Sequence, residues 1–226
     1  MSNKKILLGL TTTKKSNWRE KIKEIQKYEI KDIALFLTGI PFEERKELYK
    51  LLENTNIDFI YHAHLRNDMT VDEVSYLSSR YNVQAFNIHS LRSTYASEKE
   101  LIKHFKSKIY IENTSVVPKE EELKGCAGFC VDFSHWEVQR FTHWYEYRNM
   151  KKLLEKYKIG CSHISAVKRK LKIFSYDNHN AKDYKNFNYL SKYKKYLPEF
   201  MSLELENSFA EQMKIKNYIE KNILNS

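Results

Sequence analysis

The feature that most constrains the fold is a pattern that recurs along the whole chain: a short apolar, β-rich run followed by a charged stretch with helical spacing. The apolar runs predict eight strands, at Lys5–Leu10, Asp32–Leu37, Asp58–Tyr61, Ala85–Ile88, Lys108–Ile111, Gly128–Val131, Gly160–His163 and Met201–Leu205. The charged stretches predict helices at Asn17–Tyr28, Phe42–Glu53, Val71–Arg80, Ser97–Phe105, Tyr145–Tyr157, Tyr184–Tyr196 and Phe209–Ile223, with a shortened connection at Lys119–Lys124. Such alternation implies a parallel sheet with right-handed crossovers.

Eight strand–helix units in 226 residues predict a (β/α)8 TIM barrel that occupies residues 1–226 as a single domain. The alternative is an open, doubly wound sheet. It is disfavoured because Thr11-Thr12-Thr13 follows the first strand, where a dinucleotide-binding fold has a Gly-x-Gly-x-x-Gly turn. The sequence therefore predicts an α/β barrel.

Cysteine content and charge limit the setting and the partners. The chain has three cysteines, an odd number without zinc-finger spacing, which argues against a disulfide framework and predicts a reducing, cytoplasmic location. The apolar run Ile6–Leu10 is too short for a signal peptide or a membrane span, so no membrane association is predicted. The net charge of +10 fits a nucleic acid or another phosphate-bearing partner, but it also fits a lysine-rich solvent-exposed surface.

Imidazole and carboxylate side chains gather where the predicted strands end. Six of the eight histidines lie at or just beyond strand ends, and acidic residues accompany them. The strand-end set comprises His62, His64, His89, Glu112, Asp132, His135, His163, Asp177, His179, Glu204 and Glu206. In a TIM barrel the C-terminal strand ends form the active site, so these side chains are expected to share one pocket.

A divalent cation explains this set better than structural roles do. Any one of these residues alone is typical of a hydrogen-bonded structural position. Burying several carboxylates and imidazoles together is costly unless a cation compensates them. The ligand types suit zinc, manganese, cobalt or magnesium, and we expect one to three ions.

Four strand-end motifs carry a family resemblance: Ile111-Glu112-Asn113-Thr114, Val131-Asp132-Phe133-Ser134-His135, His163 with Asp177-x-His179, and Ser202-Leu203-Glu204-Leu205-Glu206-Asn207. In this order and over essentially the whole chain, they resemble the xylose isomerase-like barrel superfamily. That superfamily contains sugar isomerases and epimerases and also type-IV apurinic endonucleases.

The resemblance implies roles for particular residues. Glu112, Asp132, His163 and Glu204 resemble the four ligands of the single metal in the isomerase branch, where the two glutamates also move protons and His89 would polarise a substrate oxygen. With these four, the residues His62, His89, His135, Asp177 and His179 resemble the nine-ligand, three-zinc cluster of the endonuclease branch. Because relatives often form dimers or tetramers, the resemblance also implies a homo-oligomer.

The chain departs from the family pattern near strand seven. Ala166 replaces the Asp of His-x-x-Asp, and the basic run Lys168-Arg169-Lys170 follows it. Residues two apart on a strand share a face, which leaves His62 and His64 as competing ligands, and likewise Glu204 and Glu206. Family spacing favours His62 and Glu204. The predicted substrate-binding residues are His64, Trp136, Lys168, Arg169 and Glu206.

Three functions follow from the resemblance, in this order. The first is a metal-dependent isomerase or epimerase of a small sugar or sugar phosphate, with Glu112 and Glu204 as acid and base around a metal-bound enediolate. The second is a zinc-dependent phosphodiesterase of the apurinic endonuclease type that acts on DNA. The third is a barrel that binds its ligand but has lost catalysis through the altered 166–182 segment.

Overall fold

The computed structural model describes residues 4–90, 99–170 and 174–225. Its strands are β1 Lys5–Leu7, β2 Gly9–Thr11, β3 Asp32–Phe36, β4 Phe59–His64, β5 Ala85–His89, β6 Ile109–Glu112, β7 Gly128–Asp132, β8 Ile159–Ile164, β9 Ala166–Lys170, β10 Phe174–Asn178 and β11 Phe200–Leu203. Its α-helices are α1 Trp18–Lys27, α2 Phe42–Glu53, α3 Val71–Tyr81, α4 Lys99–Phe105, α5 Glu120–Lys124, α6 Phe133–Thr142, α7 Trp144–Leu154 and α8 Phe209–Ile219. A 3₁₀ helix spans Tyr184–Tyr196, and a π-helical turn at Glu220–Leu224 extends α8.

Nine strands form one parallel sheet that is nearly closed into a barrel. Their order is β1-β11-β8-β7-β6-β5-β4-β3-β2, and each neighbouring pair is parallel. The strands from β3 to β8 and β11 lie where the sequence predicts seven of its eight strands. Their ends agree with the predicted ends within two residues, except that β4 ends three residues later than predicted. The prediction of an α/β barrel with a parallel sheet is confirmed at this level.

The first predicted strand, Lys5–Leu10, is corrected by the structure, because it divides at Leu8 into β1 and β2. β1 pairs with β11 and β2 pairs with β3, so the two edges of the sheet are consecutive segments of chain. Gly9 permits this crossing, since a Cβ at that position would collide with the carbonyl oxygen of Leu203. The sheet therefore has nine strands where eight are predicted.

The region after β7 contains structure that periodicity does not predict. α6 begins directly after β7, and Asp132 caps it by accepting a hydrogen bond from the amide of His135. β9 and β10 form an antiparallel hairpin that includes Lys168 and Arg169. The helix predicted at Tyr145–Tyr157 runs from Trp144 to Leu154 as α7. Ser97 and Glu98 of the predicted helix Ser97–Phe105 lie outside the described residues, and its remainder forms α4.

The apolar core fills the space between the sheet and the helices. Ile6, Leu35, Phe86, Phe129 and Leu203 are fully buried members of it. In the described ranges, no helix combines the length and the apolar character needed to span a bilayer.

A buried lysine joins α1 to the strand ends. The Lys21 ammonium donates to the carbonyl oxygen of Leu205 (2.6 Å), to Thr11 Oγ1 (3.0 Å) and to the carbonyl oxygen of Gly9 (3.3 Å). Burial lowers the pKa of Lys21 from 10.5 to about 7, against the raising effect of nearby carboxylates. The folded state therefore binds fewer protons than the unfolded state between pH 7 and pH 10.5, and stability rises with pH across this window.

We expect Lys21→Met to abolish this rise. The free energy of unfolding of the wild type, measured against that of the variant by urea titration, should increase by about 1 kcal/mol per pH unit between about pH 7.5 and about pH 9.5. Lys23→Met is the matched control, because Lys23 lies on the same helix with a side chain 72% exposed. Parallel pH profiles for the wild type and Lys21→Met would show that Lys21 keeps its ordinary pKa.

Candidate metal centre

The predicted metal ligands at the C-terminal ends of neighbouring strands lie close together at one end of the barrel. Strand register sets His89 beside Glu112 on β5 and β6, and Asp132 beside His163 on β7 and β8. Glu204 follows β11 directly, and its amide bonds to the carbonyl oxygen of Ile164 on β8. Parallel strands thus bring residues that are far apart in sequence to one end of the barrel, as the sequence predicts.

Glu112 lies at the centre of the cluster, and its two oxygens face different imidazoles. Oε2 is 3.3 Å from His64 Nε2 and 3.8 Å from His89 Nε2, and it accepts a 2.6 Å hydrogen bond from Asn87 Nδ2. Oε1 is 3.3 Å from His163 Nδ1. A carboxylate placed in this way could bridge two cations, one at each oxygen.

Glu204 joins the cluster, and two acid–imidazole pairs lie beside it. Of the paired residues, His135, Asp177 and His179 belong to none of the groups of potential metal ligands found among the described residues. Glu204 Oε2 is 3.4 Å from His163 Nδ1. Asp132 Oδ2 is 3.8 Å from His135 Nε2, and Asp177 Oδ2 is 3.1 Å from His179 Nε2. His179 is tied to the end of β11, because its Nδ1 lies 2.9 Å from the carbonyl oxygen of Glu204.

Charges are strongly coupled in this cluster. Burial lowers the pKa of His163, but the carboxylates of Glu112 and Glu204 outweigh burial and raise it well above its ordinary value. Burial raises the pKa of Glu204, but His179 and His163 outweigh this and lower it to about 2. His64 behaves in the opposite way, since burial lowers its pKa to about 3. Protons on some imidazoles therefore balance the carboxylates.

Several buried nitrogen and oxygen atoms of the cluster lack a hydrogen bond within the described residues. Among the described residues, both ring nitrogens of His64, both of His163 and Oδ2 of Asp132 have no hydrogen bond of acceptable geometry. Asp132 Oδ1, in contrast, accepts from Ser134 Oγ and from the amide of His135. Buried polar atoms are rarely unsatisfied, and imidazole nitrogens and carboxylate oxygens fit a divalent cation, which would take the place of the imidazole protons.

The ligand atoms form three overlapping groups, each with all atoms within 4.8 Å of one another: His64, His163 and Glu204; His64, His89 and Glu112; Glu112, Asp132 and His163. Three residues belong to two groups each. The chemistry of the donor set, nitrogen and oxygen only, suits zinc or manganese.

The structure places His62 and His64 at different depths in the barrel and in different groups of potential metal ligands. His62 lies deeper in the barrel, where Nδ1 is 2.7 Å from Ser202 Oγ and Nε2 is 2.8 Å from Asn87 Oδ1. His64, on the same face two residues later, lies among His89, His163 and Glu112. His64 therefore lies in the ligand cluster above His62, because β4 ends at His64, three residues beyond the predicted strand end at Tyr61.

The predicted substrate-binding residues lie apart from one another. As a correction, Trp136 is 1% exposed and packs against Tyr147 and Tyr193 in the core. Arg169 is exposed and bonds to Glu137 Oε1 at 3.0 Å, and Lys168 is half-buried on the same strand. Glu206 accepts a 2.7 Å hydrogen bond from Thr13 Oγ1 and does not join the ligand groups among the described residues.

A supporting layer lies beneath the ligands, and the sequence predicts only His62 among its members, as a metal ligand. Its members each lie two residues before a ligand on the same strand: His62, Asn87, Cys130, Cys161 and Ser202. Asn87 joins His62 to Glu112 through its two amide atoms. The period-two rule for strands is the signal that would have found these residues, because positions i−2 and i share a face.

Comparison with known proteins supports a fold. No family model and no curated protein matches the sequence. Among solved structures, the chain resembles an uncharacterised protein of Parabacteroides distasonis with a TM-score of 0.52 and 13% sequence identity, over 95% of this chain and 98% of that one. At this identity the similarity supports the α/β barrel-like fold alone.

Proposed function

We propose that this chain is a (β/α)8 barrel of the xylose isomerase-like type that hydrolyses phosphoester bonds with a multinuclear divalent-metal centre. The observation that carries the proposal is the position of Glu112, whose two carboxylate oxygens face separate imidazoles. A ligand that bridges two ions is expected in multinuclear hydrolases and is not needed by a mononuclear isomerase.

Some residues of such a centre would bind the ions, and others would orient the residues that bind them. His64, His89, Glu112, Asp132, His135, His163, Asp177, His179 and Glu204 would hold the ions. Divalent cations in such a site polarise a phosphoryl oxygen and make water a better nucleophile at neutral pH. Asn87 orients Glu112 through a 2.6 Å hydrogen bond, and Ser134 and the His135 amide orient Asp132. Such outer contacts fix ligand geometry and raise metal affinity.

A basic cavity next to α6 and β9 supports a phosphate-bearing substrate. The cavity measures 570 Å³, and its lining includes Arg140, Arg169, Lys185 and Lys192 with a single carboxylate, Glu137. Glu137 is fully buried and accepts from Lys192, Arg169 and Tyr193. The cationic excess that remains would attract phosphate groups, in keeping with the net charge of +10.

The second candidate is the sugar isomerase or epimerase that the sequence ranks first. One observation favours it: Glu112 and Glu204 each place a carboxylate oxygen close to the His163 Nδ1 atom, at 3.3 Å and 3.4 Å. Two glutamates around one ligand could serve as acid and base for proton transfer in a sugar. It ranks second because a single ion would not use the second oxygen of Glu112, which faces His64.

Removal of the metal tests the proposal. Hydrolysis of bis(p-nitrophenyl) phosphate and of a DNA duplex with an abasic site should fall to background after chelation and return with Zn²⁺ or Mn²⁺, because the ions supply the Lewis acid. The same preparation should not exchange the C1 and C2 protons of ketoses with solvent. Metal-restored proton exchange without any phosphoester hydrolysis would contradict the proposal and favour the isomerase.

A further inference from the structure

A second cluster of potential ligands lies inside the barrel, one layer below the metal centre. His62, Cys130 and Cys161 come from β4, β7 and β8, and each precedes a residue of the centre by two positions: His64, Asp132 and His163 respectively. Alternation along a strand keeps each pair on one face, so the three deeper side chains also point into the barrel. All three are fully buried.

The spacing of the three side chains matches the span of a tetrahedral metal site. Cys130 and Cys161 are register partners on adjacent strands. Cys130 Sγ is 3.9 Å from His62 Nε2, and all three ligand atoms lie within 4.8 Å of one another. Zinc bonds of about 2.3 Å to sulfur and about 2.0 Å to nitrogen separate the ligand atoms by roughly 3.5 to 4 Å. A cation could therefore be held with only small side-chain movements.

Charge balance favours a divalent cation at this depth. Each thiol would release its proton on binding, and the two thiolates would cancel the charge of the ion. An isolated charge is very costly in a protein interior, whereas a neutral ion–dithiolate unit avoids most of that cost. Thiolate and imidazole donors together select zinc-like cations, while the nitrogen and oxygen donors above suit a wider range.

The surroundings of His62 can adapt to such an ion. In the present arrangement Nε2 donates to Asn87 Oδ1, an atom that only accepts, while Nδ1 accepts from Ser202 Oγ. A serine hydroxyl can also accept, so Nδ1 could carry the proton and leave the Nε2 lone pair for the ion. Asn87 Oδ1, 2.8 Å from Nε2, could then be the fourth donor.

We infer that His62, Cys130 and Cys161 form a separate, thiolate-rich site for one Zn²⁺ or similar cation within the barrel. The site is independent of the proposed hydrolase function, since it shares no ligand with the upper centre. It would link β4 to β7 and β8 across the barrel, and through Asn87 it would brace Glu112. Its role is therefore structural support beneath the centre.

Cobalt substitution tests the inference. Protein stripped by a chelator and reloaded with Co²⁺ should show a near-ultraviolet thiolate-to-cobalt charge-transfer band, which nitrogen and oxygen ligands do not produce. The band should persist in Cys126→Ser, the matched control, because Cys126 is only half-buried and lies outside the cluster. It should vanish in Cys130→Ser with Cys161→Ser, and the zinc content of that double variant should fall by one ion per chain.

The same experiment distinguishes this site from the proposed function. Glu112→Gln should retain the charge-transfer band even where it loses activity. A band absent from the wild type, a band that survives loss of both cysteines, or a Cys130–Cys161 disulfide in the purified protein would each overturn the inference. If the double variant fails to fold, alkylation of Glu112→Gln protein decides: Zn²⁺ should slow modification of Cys130 and Cys161 at least about tenfold relative to Cys126, and equal rates would refute the site.

Discussion

Replacement of Glu112 by glutamine should reduce phosphodiester hydrolysis by at least about 100-fold, because even the outer-shell partners of metal ligands cost 10- to 100-fold when mutated. The change keeps the shape of the side chain but removes the negative charge that faces His64 and His163 from opposite oxygens. An amide offers a cation one neutral oxygen in place of two charged ones, so both ions of a bridged pair lose their shared anionic ligand. We therefore expect elemental analysis to find at least two fewer ions per chain in the variant than in the wild type.

The difference in metal content separates the two candidate functions. A mononuclear isomerase would lose about one ion per chain with the same substitution, since only one ion would depend on Glu112. Glu199→Gln provides the control, because Glu199 is exposed at the N-terminal end of β11, at the opposite end of the barrel. Unchanged activity in Glu112→Gln with full metal content would contradict the bridging role.

The strand-end cluster is the part of this molecule that sequence anticipates best. Parallel strands place their C-terminal residues at one end of the sheet, so Glu112, Asp132, His163 and Glu204 needed only correct strand assignments to be brought together. Their strands are apolar runs bounded by polar residues, which periodicity detects without knowledge of tertiary contacts. Register then sets His89 beside Glu112 and Asp132 beside His163.

Depth within the barrel is harder to predict. His62 and His64 share a face, and no local property distinguishes the residue that meets Glu112 from the one that bonds Ser202 and Asn87. The answer depends on where β4 ends, and strand boundaries depend on pairing with β3 and β5. The division at Leu8 has the same origin, since the pairing of β1 with β11 involves residues almost 200 positions away in sequence.

Sequence patterns also fail to predict features that are fixed by contacts between side chains from different elements. Helix α6 starts without an apolar repeat of its own, and it is fixed by the Asp132 cap and by Glu137, which binds Arg169 and Lys192 from other elements. The sequence predicts Trp136 as a substrate-binding residue, yet a helix turns consecutive residues by about 100°. Trp136 therefore faces the core while His135 faces Asp132.

A buried ion pair joins helices α2 and α3, and we expect it to contribute strongly to the stability of the fold. Arg45, fully buried, makes two hydrogen bonds to Glu73, from Nε to Oε1 (2.6 Å) and from Nη2 to Oε2 (3.0 Å). Tyr49 also donates to Glu73, at 2.7 Å. Asp68 contacts Arg45 Nη1 at 3.0 Å, but its side chain is 42% exposed, so its charge is screened by water.

Glu73→Gln should lower the free energy of unfolding by about 3 to 5 kcal/mol, because it leaves a desolvated guanidinium without its principal counter-charge. Urea denaturation measures the change through the transition midpoint. A double variant, Arg45→Met with Glu73→Leu, should regain much of the loss, since removing both charges avoids the unpaired ion.

The surface pair Arg19–Glu47 has a similar two-bond geometry. Glu47→Gln should nevertheless change stability little, because water solvates both partners. If Glu73→Gln and Glu47→Gln had equal effects, burial would not be what makes the Arg45 pair important.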